Sequence, residues 1–542
     1  MANYRILKIQ RMIKELEIDA YIIPKEDEFF SANVPEYNDR LYYVSGFDGS
    51  AGTLVVTEND YLFFTDSRYE IQSKLQLGIQ PVINANIPKW LADNRPNLTK
   101  IGYDAWLMKA LDLEKFRAFF KMIDVGNLVD DMWERDTHTG GCDIYDYDIC
   151  FTGEDRTEKM KRLAKALPAK IDAFIITDVD EISWLLNKRA DVFKYLPAIP
   201  GFMIFYPKDI NYDLFFDKDE FLRHCQKLRN IGVYLPETSA KTAGALDGII
   251  PLRVNPLHEF MAIKNAVEQE SIIKIHEFEG AAICNFLSEI SDIDEIDEYQ
   301  ASDLLEEFRK KQPDYKGKSF ETILGADANA AIVHYHPTEK VYKTIENFFL
   351  LDCGSQYMGG TTDMTRTVLF KKANPEIIRD YTLVLKGHIA LSAAVFPEGT
   401  TGVMLDTFAR QYLWQYGMDY QHGTGHGIGN FLNVHEGDIR ISRHGSLPLK
   451  EGVIISCEPG VYKENSHGIR IENLVLTQKH ENKGFLCFKT LTLVPYEKRL
   501  IDKTMLTAPE IAWINNYHQQ VYKKLSGKVN NEIWLRNATL PL

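Results

Sequence analysis

The stretch FFLLDCGSQYMGGTTDMTRTVLF, residues 348–370, decides the fold of the largest part of this chain. An apolar run ends at Asp352, β-branched residues surround Asp363, and Gly359 and Gly360 lie between the two. Two strands joined across a Gly-Gly turn predict a β-hairpin, which can bring the two aspartates side by side.

Three later segments carry side chains of the same chemical kind. HGTGHGIG alternates His422 and His426 with glycines, which disfavours a helix in spite of the His-x3-His spacing. VIISCEPG predicts a strand that ends at Glu458 before a Pro-Gly stop. GIRIENLVL alternates so that Arg470 and Glu472 share one face of a strand.

Five of these side chains have the chemistry of a site for two metal ions: Asp352, Asp363, His426, Glu458 and Glu472. Four carboxylates and one imidazole suit a pair of divalent ions such as Mn²⁺, Co²⁺ or Zn²⁺. Two ions about 3.5–4 Å apart can hold one hydroxide between them as a nucleophile. Considered alone, Asp352 could cap a turn and Glu472 could pair with Arg470. The metal-site hypothesis therefore depends on all five side chains occurring together.

Length and composition limit the class of protein. A chain of 542 residues predicts three or four domains, and 45% hydrophobic residues suffice for large cores. The net charge of −15 argues against nucleic acid as a main partner. Seven scattered cysteines without a CxxC pair, no visible signal peptide and no apolar run of membrane length favour a soluble, cytoplasmic protein with no membrane partner.

Two landmarks recur along the first half of the chain. DAYII begins at Asp19 and DAFII at Asp172, and YLFFTD begins at Tyr61 and YDLFFD at Tyr212, so the offsets are 153 and 151 residues. In each half, a helical stretch precedes the buried strand that DAYII or DAFII contributes, which is the pattern of α/β domains. We predict two related α/β domains, residues 1–135 and 136–255, with their boundary within 130–155, where GGC and a run of Asp and Tyr interrupt the apolar pattern.

The remaining residues, 256–542, are predicted to form an α+β domain that holds every metal ligand. One long helical stretch begins at His258, two amphipathic helices cover 376–395 and 406–417, and the tail beyond Pro495 is helical again. His334 follows an apolar strand in AIVHYHPT.

LDCGSQYMGGTTDMTRT, HGTGHGIGNFLNVHEG, EPGVY and GIRIEN resemble the signatures of the Xaa-Pro aminopeptidase (aminopeptidase P) family of pita-bread metallopeptidases. VSGFDGSAGT, DEISWLLN, LTLVP and WINNYH are similar to the long, three-domain form, so the resemblance covers nearly the whole chain. The chain departs from the family pattern at Cys353 and Cys457 and in its short middle domain.

The resemblance implies two creatinase-type α/β domains followed by a pita-bread α+β catalytic domain. It implies hydrolysis of the N-terminal Xaa-Pro bond, in peptides with proline second, by a hydroxide that bridges two metal ions. It also implies manganese and a homodimer, whereas the ligands alone are compatible with zinc or cobalt as well.

Residue roles follow from the same resemblance. The implied catalytic residues are Glu458, which also carries the proton, and His334, His435 and His422. Imidazoles near the scissile carbonyl can stabilise an oxyanion. The implied substrate-binding residues are Arg68, His334, His426, His435, Glu458, Tyr462 and Arg470. Arg470 is further expected to orient Glu472. His336 matches no family site, and without the resemblance Arg68 would be a surface arginine paired with Asp66 or Glu70.

Two alternatives remain at this point. Prolidase has the same metal chemistry but cleaves Xaa-Pro dipeptides; the length and VSGFDGSAGT favour the aminopeptidase. A non-catalytic peptide-binding module on the same fold, as in some histone-chaperone subunits, would lack the ligands that this chain retains.

Overall fold

The computed structural model describes residues 2–31, 33–135 and 143–542. They form two compact units. The first unit contains the described residues up to Ile149 and residues 154–257, and the second contains 150–153 and 258–542. The GGC of the predicted first boundary lies outside the described residues, so the limits 1–135, 136–255 and 256–542 stay a prediction.

The first unit begins with a six-stranded mixed sheet in the order β4-β3-β2-β1-β5-β6, made of β1 (Ala20–Pro24), β2 (Thr53–Thr57), β3 (Tyr61–Thr65), β4 (Val82–Ile83), β5 (Lys100–Tyr103) and β6 (Lys121–Asp124). Its helices are α1 (Ala2–Glu15), α2 (Arg40–Ser45), α3 (Glu70–Leu77), α4 (Ile87–Asn94) and α5 (Ala110–Arg117). The helical spacing of Ile6, Ile9 and Ile13 buries one face of α1 against the sheet.

The second sheet of this unit has the order β11-β10-β8-β12-β13, and a separate pair is formed by β7 and β9. The strands are β7 (Ile144–Asp146), β8 (Ala173–Ile176), β9 (Lys188–Ala190), β10 (Phe202–Tyr206), β11 (Asn211–Phe215), β12 (Ile231–Val233) and β13 (Ile249–Pro251). The helices in this region are α6 (Ile149–Thr152), α7 (Arg156–Ala166), α8 (Val179–Leu186), α9 (Lys218–Cys225) and α10 (Ala240–Ala245).

The two sheets share one topology. β1 pairs antiparallel with β2 and parallel with β5, and β8 pairs antiparallel with β10 and parallel with β12. DAYII contributes β1 and DAFII contributes β8. The prediction of two related α/β halves is therefore confirmed by strand order as well as by spacing.

The second unit is built mainly from antiparallel sheets and long helices. Its sheets have the orders β14-β17-β18, β15-β16-β19, β20-β27-β26-β23-β21-β22 and β24-β25. The strands are β14 (Tyr315–Lys318), β15 (Ile323–Ala326), β16 (Phe348–Cys353), β17 (Ser355–Tyr357), β18 (Gly360–Thr361), β19 (Met364–Leu369), β20 (Val395–Pro397), β21 (Gly425–Gly427), β22 (Glu436–Ile441), β23 (Ile454–Cys457), β24 (Gly460–Lys463), β25 (His467–Arg470), β26 (Asn473–Lys479) and β27 (Phe485–Thr490).

The helices of this region are α11 (Pro256–Ala262), α12 (Ala266–Ser291), α13 (Glu298–Arg309), α14 (Pro375–Ser392), α15 (Gly402–Trp414), α16 (Ala508–Leu525) and α17 (Glu532–Ala538). Thus α14 and α15 match the predicted helices, and the tail is helical as expected. Tyr517 in α16 is buried and stacks on Trp513, so these tail aromatics belong to the core. None of the helices in the described ranges is long and apolar enough to cross a membrane.

The predicted hairpin is confirmed. β16 pairs antiparallel with β19, with Asp352 opposite Thr365. The connection contains the small pair β17 and β18, and Gly360 lies at φ +144°, a conformation that favours glycine. Asp352 and Asp363 consequently lie at the same end of the hairpin.

Two sequence predictions were wrong in detail. The single helix expected from His258 is two helices, because the Asn265 side chain accepts hydrogen bonds from the N–H groups of Val267 and Glu268 and caps a new helix there. The residues before His334 form a 3₁₀ helix, Asp327–Ala331, instead of a strand. Asp327 adopts a left-handed φ of +50°, which ends β15.

Candidate metal centre

The five predicted ligands come from strands and strand ends of the second unit. Asp352 lies on β16 and Asp363 immediately precedes β19. His426 lies on β21, Glu458 follows β23, and Glu472 stands between β25 and β26. His426 is therefore on a strand, as the alternating glycines predict, and not on a helix.

His426 lies among the carboxylates. Its Nε2 is 3.4 Å from Asp363 Oδ2 and 3.6 Å from Glu458 Oε1. Ligand atoms of Asp363, His426 and Glu472 lie within 4.8 Å of one another. Since Nδ1 lies 3.0 Å from the Gly427 carbonyl oxygen, which can only accept, Nδ1 carries the proton and Nε2 carries the lone pair. A lone pair that faces carboxylates is repulsive unless a cation lies between them.

Three carboxylate oxygens of the cluster are buried and have no hydrogen-bond partner in the described part of the chain: Asp352 Oδ1, Asp363 Oδ1 and Glu472 Oε1. Buried polar atoms are normally satisfied, so unpartnered acceptors on three carboxylates of one cluster indicate a missing positive group. An oxygen-rich set with one imidazole suits hard or borderline divalent ions. The residues present therefore fit a metal site.

The electrostatics of the cluster give the same indication. Burial, followed by the charges of Asp352 and Glu458, raises the pKa of Asp363 well above its usual range. Burial and the charge of Asp363 do the same to the pKa of Glu472, and burial also raises the pKa of Glu458. Divalent cations would stabilise the ionised carboxylates and reverse these shifts.

The prediction that Arg470 orients Glu472 was wrong. Its Nε and Nη2 donate to Asp352 Oδ2 at 3.0 and 2.6 Å, so it orients Asp352 and not Glu472. Glu472 instead accepts a hydrogen bond of 2.8 Å from the Thr365 hydroxyl. The reason is that β25 ends at Arg470 and Glu472 lies beyond it, so the two side chains do not share one regular strand face.

Tyr462 joins Arg470 to one of the predicted histidines. Its hydroxyl accepts from Arg470 Nη1 at 2.7 Å and lies 2.8 Å from His422 Nε2. Because His422 Nδ1 lies 2.7 Å from the Gly423 carbonyl oxygen, Nδ1 is protonated and Nε2 accepts from Tyr462. His422 Nδ1 is also 3.9 Å from Glu458 Oε2.

Of the other two predicted histidines, His435 packs on the His426 ring, and His334 follows a residue that Arg470 binds. The rings of His435 and His426 have centroids 4.3 Å apart, and His435 is exposed. His334 is half-buried, and the carbonyl of the preceding Val333 accepts from Arg470 Nη2 at 3.2 Å. The catalytic roles of these histidines stay predictions.

Arg68 lies in the first unit, where it forms an ion pair of 2.7 Å with Asp66. Its side chain is 30% exposed. This pairing is the one expected for a surface arginine, and the predicted contact with a peptide stays a prediction.

Known proteins match the chain over its whole length. Residues 5–132 and 141–244 each match the Creatinase/Prolidase N-terminal domain. Residues 270–479 match metallopeptidase family M24, and 484–542 match the C-terminal region of that peptidase. A probable Xaa-Pro aminopeptidase P of Coprinopsis cinerea is 32% identical over 99% of this chain and 98% of its own length. A homologue of the same name from Pyricularia oryzae is 34% identical over 99% and 98%.

The chain belongs to the Xaa-Pro aminopeptidase P family. The crystal structure of X-prolyl aminopeptidase from Caenorhabditis elegans, a cytosolic enzyme with a di-nuclear active site, superimposes with a TM-score of 0.92 at 30% identity and covers 100% of both chains. These matches confirm the predicted fold class, with Creatinase N-terminal domains before an M24 catalytic domain. As a member of the Xaa-Pro aminopeptidase P family, the protein is a metallopeptidase and hydrolase, and the non-catalytic binding module is wrong.

The sequence reasoning missed two side chains that position the ligands. Thr365 binds Glu472, and Ser456 Oγ accepts from the His426 N–H at 3.0 Å and donates to Glu458 Oε1 at 3.3 Å. Each lies two residues from a predicted ligand, Asp363 or Glu458. Their hydroxyl groups and their closeness in sequence to these ligands are the signal that could have found them.

Proposed function

We propose that the protein removes the N-terminal residue from peptides with proline in the second position, using a hydroxide that bridges two divalent metal ions. The ligands would be Asp352, Asp363, His426, Glu458 and Glu472. The observation that carries the proposal is that Asp363, His426 and Glu472 bring ligand atoms within 4.8 Å of one another, while buried oxygens of Asp352, Asp363 and Glu472 have no hydrogen-bond partner among the described residues.

The ions, when bound, supply a hydroxide nucleophile at neutral pH and stabilise negative charge on the scissile carbonyl. The residues of the chain would complete the reaction. Glu458 would take up the proton released by the nucleophile and deliver it to the proline nitrogen, as a carboxylate placed beside the reacting groups can. His435 and His334 would donate hydrogen bonds to the oxyanion.

The remaining predicted residues would bind the peptide. Tyr462 and His422 are hydrogen-bonded to each other and would form the wall near the proline. Arg470 would hold Asp352 and this wall in one arrangement. Arg68 would hydrogen-bond carbonyl groups beyond the proline and so favour longer peptides over dipeptides.

We further propose manganese as the native metal and the cytoplasm as the location. The family resemblance supports manganese, and the ligand set is compatible with it. The similar X-prolyl aminopeptidase of C. elegans is a cytosolic enzyme, which supports the location. Cys142 lies outside the described residues. The other six cysteines are free thiols, as expected in a reducing compartment.

A homodimer is the proposed assembly. Helix α15 and the turn after it expose large apolar side chains, with Met404 61%, Phe408 41%, Trp414 46% and Tyr416 53% accessible. Exposed apolar residues on one surface mark interaction sites more often than scattered ones do.

Sedimentation velocity of the wild type and of Phe408→Glu tests the proposed dimer. The wild type should sediment as a dimer and the variant should dissociate. A monomeric wild type would contradict the proposal.

One comparison of substrates tests the activity. The chelated protein is reloaded with Mn²⁺ and given Xaa-Pro-Pro peptides, Xaa-Pro dipeptides and matched peptides with alanine in second position, and the products are separated by mass. We expect release of the first residue from Xaa-Pro-Pro and little cleavage of the alanine peptides. Cleavage of the dipeptide alone would indicate prolidase, and no cleavage in any reloaded sample would contradict the proposal.

A further inference from the structure

Glu298, the first residue of α13, is fully buried and accepts five hydrogen bonds. Its Oε1 accepts from the N–H of Ala326 at 2.7 Å and from Asn329 Nδ2 at 2.9 Å. Its Oε2 accepts from the Tyr335 hydroxyl at 2.6 Å, from the N–H of Lys343 at 2.8 Å and from Asn329 Nδ2 at 3.2 Å. One carboxylate thus contacts the beginning, the middle and the end of the segment 326–343.

The backbone of Glu298 strengthens this arrangement. Its N–H donates to the Lys343 carbonyl at 2.9 Å, so the two residues are bonded in both directions. The carboxylate also lies in the first turn of α13, where the helix dipole favours negative charge. The segment 326–343 is therefore attached to the start of α13 at several points.

The segment carries His334 between two anchored neighbours. On one side, the Val333 carbonyl accepts from Arg470, which in turn binds Asp352 at 2.6 Å. On the other side, Tyr335 donates to Glu298. The backbone is thus held on the metal side by Arg470 and on the helix side by Glu298.

The contacts of Glu298 suit a carboxylate that sets geometry. No lysine or arginine side chain forms an ion pair with it within the described ranges, and the donors described are neutral. Burial raises the pKa of Glu298 above its usual range, while the hydrogen bonds favour the ionised form. A buried charge without a cationic partner contributes little net stability, and its several fixed hydrogen bonds specify one backbone arrangement.

We propose that Glu298 is a positioning residue for the peptidase reaction, because it fixes the segment 326–343 so that His334 keeps its place beside the metal centre. The inference rests on the proposed function, in which His334 contacts the scissile bond. Glu298 itself touches neither the metal ligands nor the substrate in this scheme. Its removal should leave the metals bound and misplace His334.

The variant Glu298→Gln preserves the shape of the side chain and replaces one acceptor oxygen by an NH₂ group. An NH₂ group cannot accept, so the bond from the N–H of Ala326 or the bond from the N–H of Lys343 is lost, depending on which way the amide faces. A double-mutant cycle then separates positioning from general destabilisation. It compares the wild type, Glu298→Gln, His334→Ala and the double variant on an Xaa-Pro-Pro peptide, with metal content and unfolding temperature measured for each.

We expect Glu298→Gln to lower kcat about 10–100-fold, the usual range for a lost positioning contact at a metal site, with two metals still bound. In the His334→Ala background the same change should lower kcat less than about threefold, because the residue through which it acts is gone. Equal losses in both backgrounds, an unchanged kcat in Glu298→Gln, or an unchanged kcat in His334→Ala would each overturn the proposal.

One control variant and one milder test variant accompany the cycle. Glu510→Gln removes another buried carboxylate, bound by Lys386 at 2.7 Å between α14 and α16, and should lower the unfolding temperature without changing kcat. Tyr335→Phe removes a single bond to Glu298 and should lower kcat in the same direction by a smaller factor, which keeps the test open if Glu298→Gln does not fold.

Hydrogen–deuterium exchange gives a readout that does not depend on activity. Amides of 326–343 should exchange faster in Glu298→Gln than in the wild type, while the hairpin 348–370 stays protected. Unchanged exchange in 326–343 would overturn the positioning role even if the enzyme were inactive. A wild type that binds metals but cleaves no Xaa-Pro peptide would instead contradict the proposed function.

Discussion

Arg470 binds Asp352 with two hydrogen bonds to one carboxylate oxygen, from Nε at 3.0 Å and from Nη2 at 2.6 Å. The side chains are 2% and 11% exposed, so this is a buried ion pair. The same guanidinium donates to the Tyr462 hydroxyl at 2.7 Å. One arginine therefore fixes a predicted metal ligand and the group that binds His422.

Arg470→Lys should weaken metal binding. Lysine presents a single ammonium group and cannot donate to Asp352, Tyr462 and Val333 in the fixed geometry of a guanidinium. We expect a metal affinity about 10–100-fold lower, measured by calorimetric titration of the chelated protein. Arg499→Lys is the matched control, because Arg499 forms an ion pair with Glu497 and is 57% exposed. Equal affinities in Arg470→Lys and wild type would contradict this role.

Asp363→Asn should abolish both hydrolysis and full metal loading. The amide removes a negative charge next to His426 and leaves fewer anionic oxygens for the cations. Chelation should inactivate the wild type, and Mn²⁺ should restore the wild type but not the variant. Metal content by plasma mass spectrometry and peptide cleavage measure the two effects. A metal-free wild type with full activity would end the metallopeptidase mechanism proposed for this site.

His435→Ala should lower kcat by roughly 10²–10³, the loss typical of an oxyanion donor. His435 is exposed and contacts the His426 ring without belonging to the buried carboxylate cluster. Metal content should therefore remain near that of the wild type. Loss of both metals in this variant would identify His435 as a ligand instead of a stabilising donor.

Arg68→Ala should raise KM for tripeptides and longer substrates and leave metal content and unfolding temperature unchanged. Its ion pair with Asp66 is partly exposed and contributes little to stability. The effect on a minimal Xaa-Pro substrate should be much smaller, since that substrate does not extend beyond the proline. Steady-state kinetics on a length series measure the difference. Equal effects on short and long substrates, or none on either, would leave Arg68 a surface residue.

His518 should make the stability of the catalytic domain sensitive to mild acid. Burial, with the charges of Lys498 and Arg366, lowers the pKa of His518 from 6.5 to about 3. Its Nε2 accepts from the Tyr496 N–H at 3.1 Å, so the folded protein holds the neutral ring. The unfolded chain binds a proton below pH 6.5, so the contribution is present above that pH and is lost as the pH falls towards 3.

The variant His518→Gln keeps an acceptor and does not titrate. The unfolding temperature of the wild type relative to this variant should decrease as the pH is lowered from about 6.5 to about 4, and the loss over this range corresponds to at most about 3 kcal/mol. Thermal unfolding at matched ionic strength measures it. A difference that stays constant over this range would contradict the role of His518.

Local patterns in the sequence were sufficient for much of the fold. The Gly-Gly turn and flanking β-branched residues predict the hairpin that brings Asp352 and Asp363 to one end. The glycines around His426 exclude a helix, and two landmarks at nearly equal offsets reveal the two related α/β halves. These features depend on neighbours a few residues apart or on direct repetition, which a single sequence contains.

The residue types of the metal site could likewise be read from the sequence, because carboxylates and imidazole are metal ligands wherever they converge. Whether they converge, and what holds them, depends on segments far apart in the chain. Arg470 meets Asp352 across 118 residues, and Thr365 meets Glu472 across 107. Strand alternation assigned Arg470 to Glu472, but β25 ends between them. The attachment of the His334 segment to Glu298 likewise joins a helix start to a loop up to 45 residues later. Only the packing of the folded chain decides such pairings, since any buried donor within reach could have satisfied the same carboxylate.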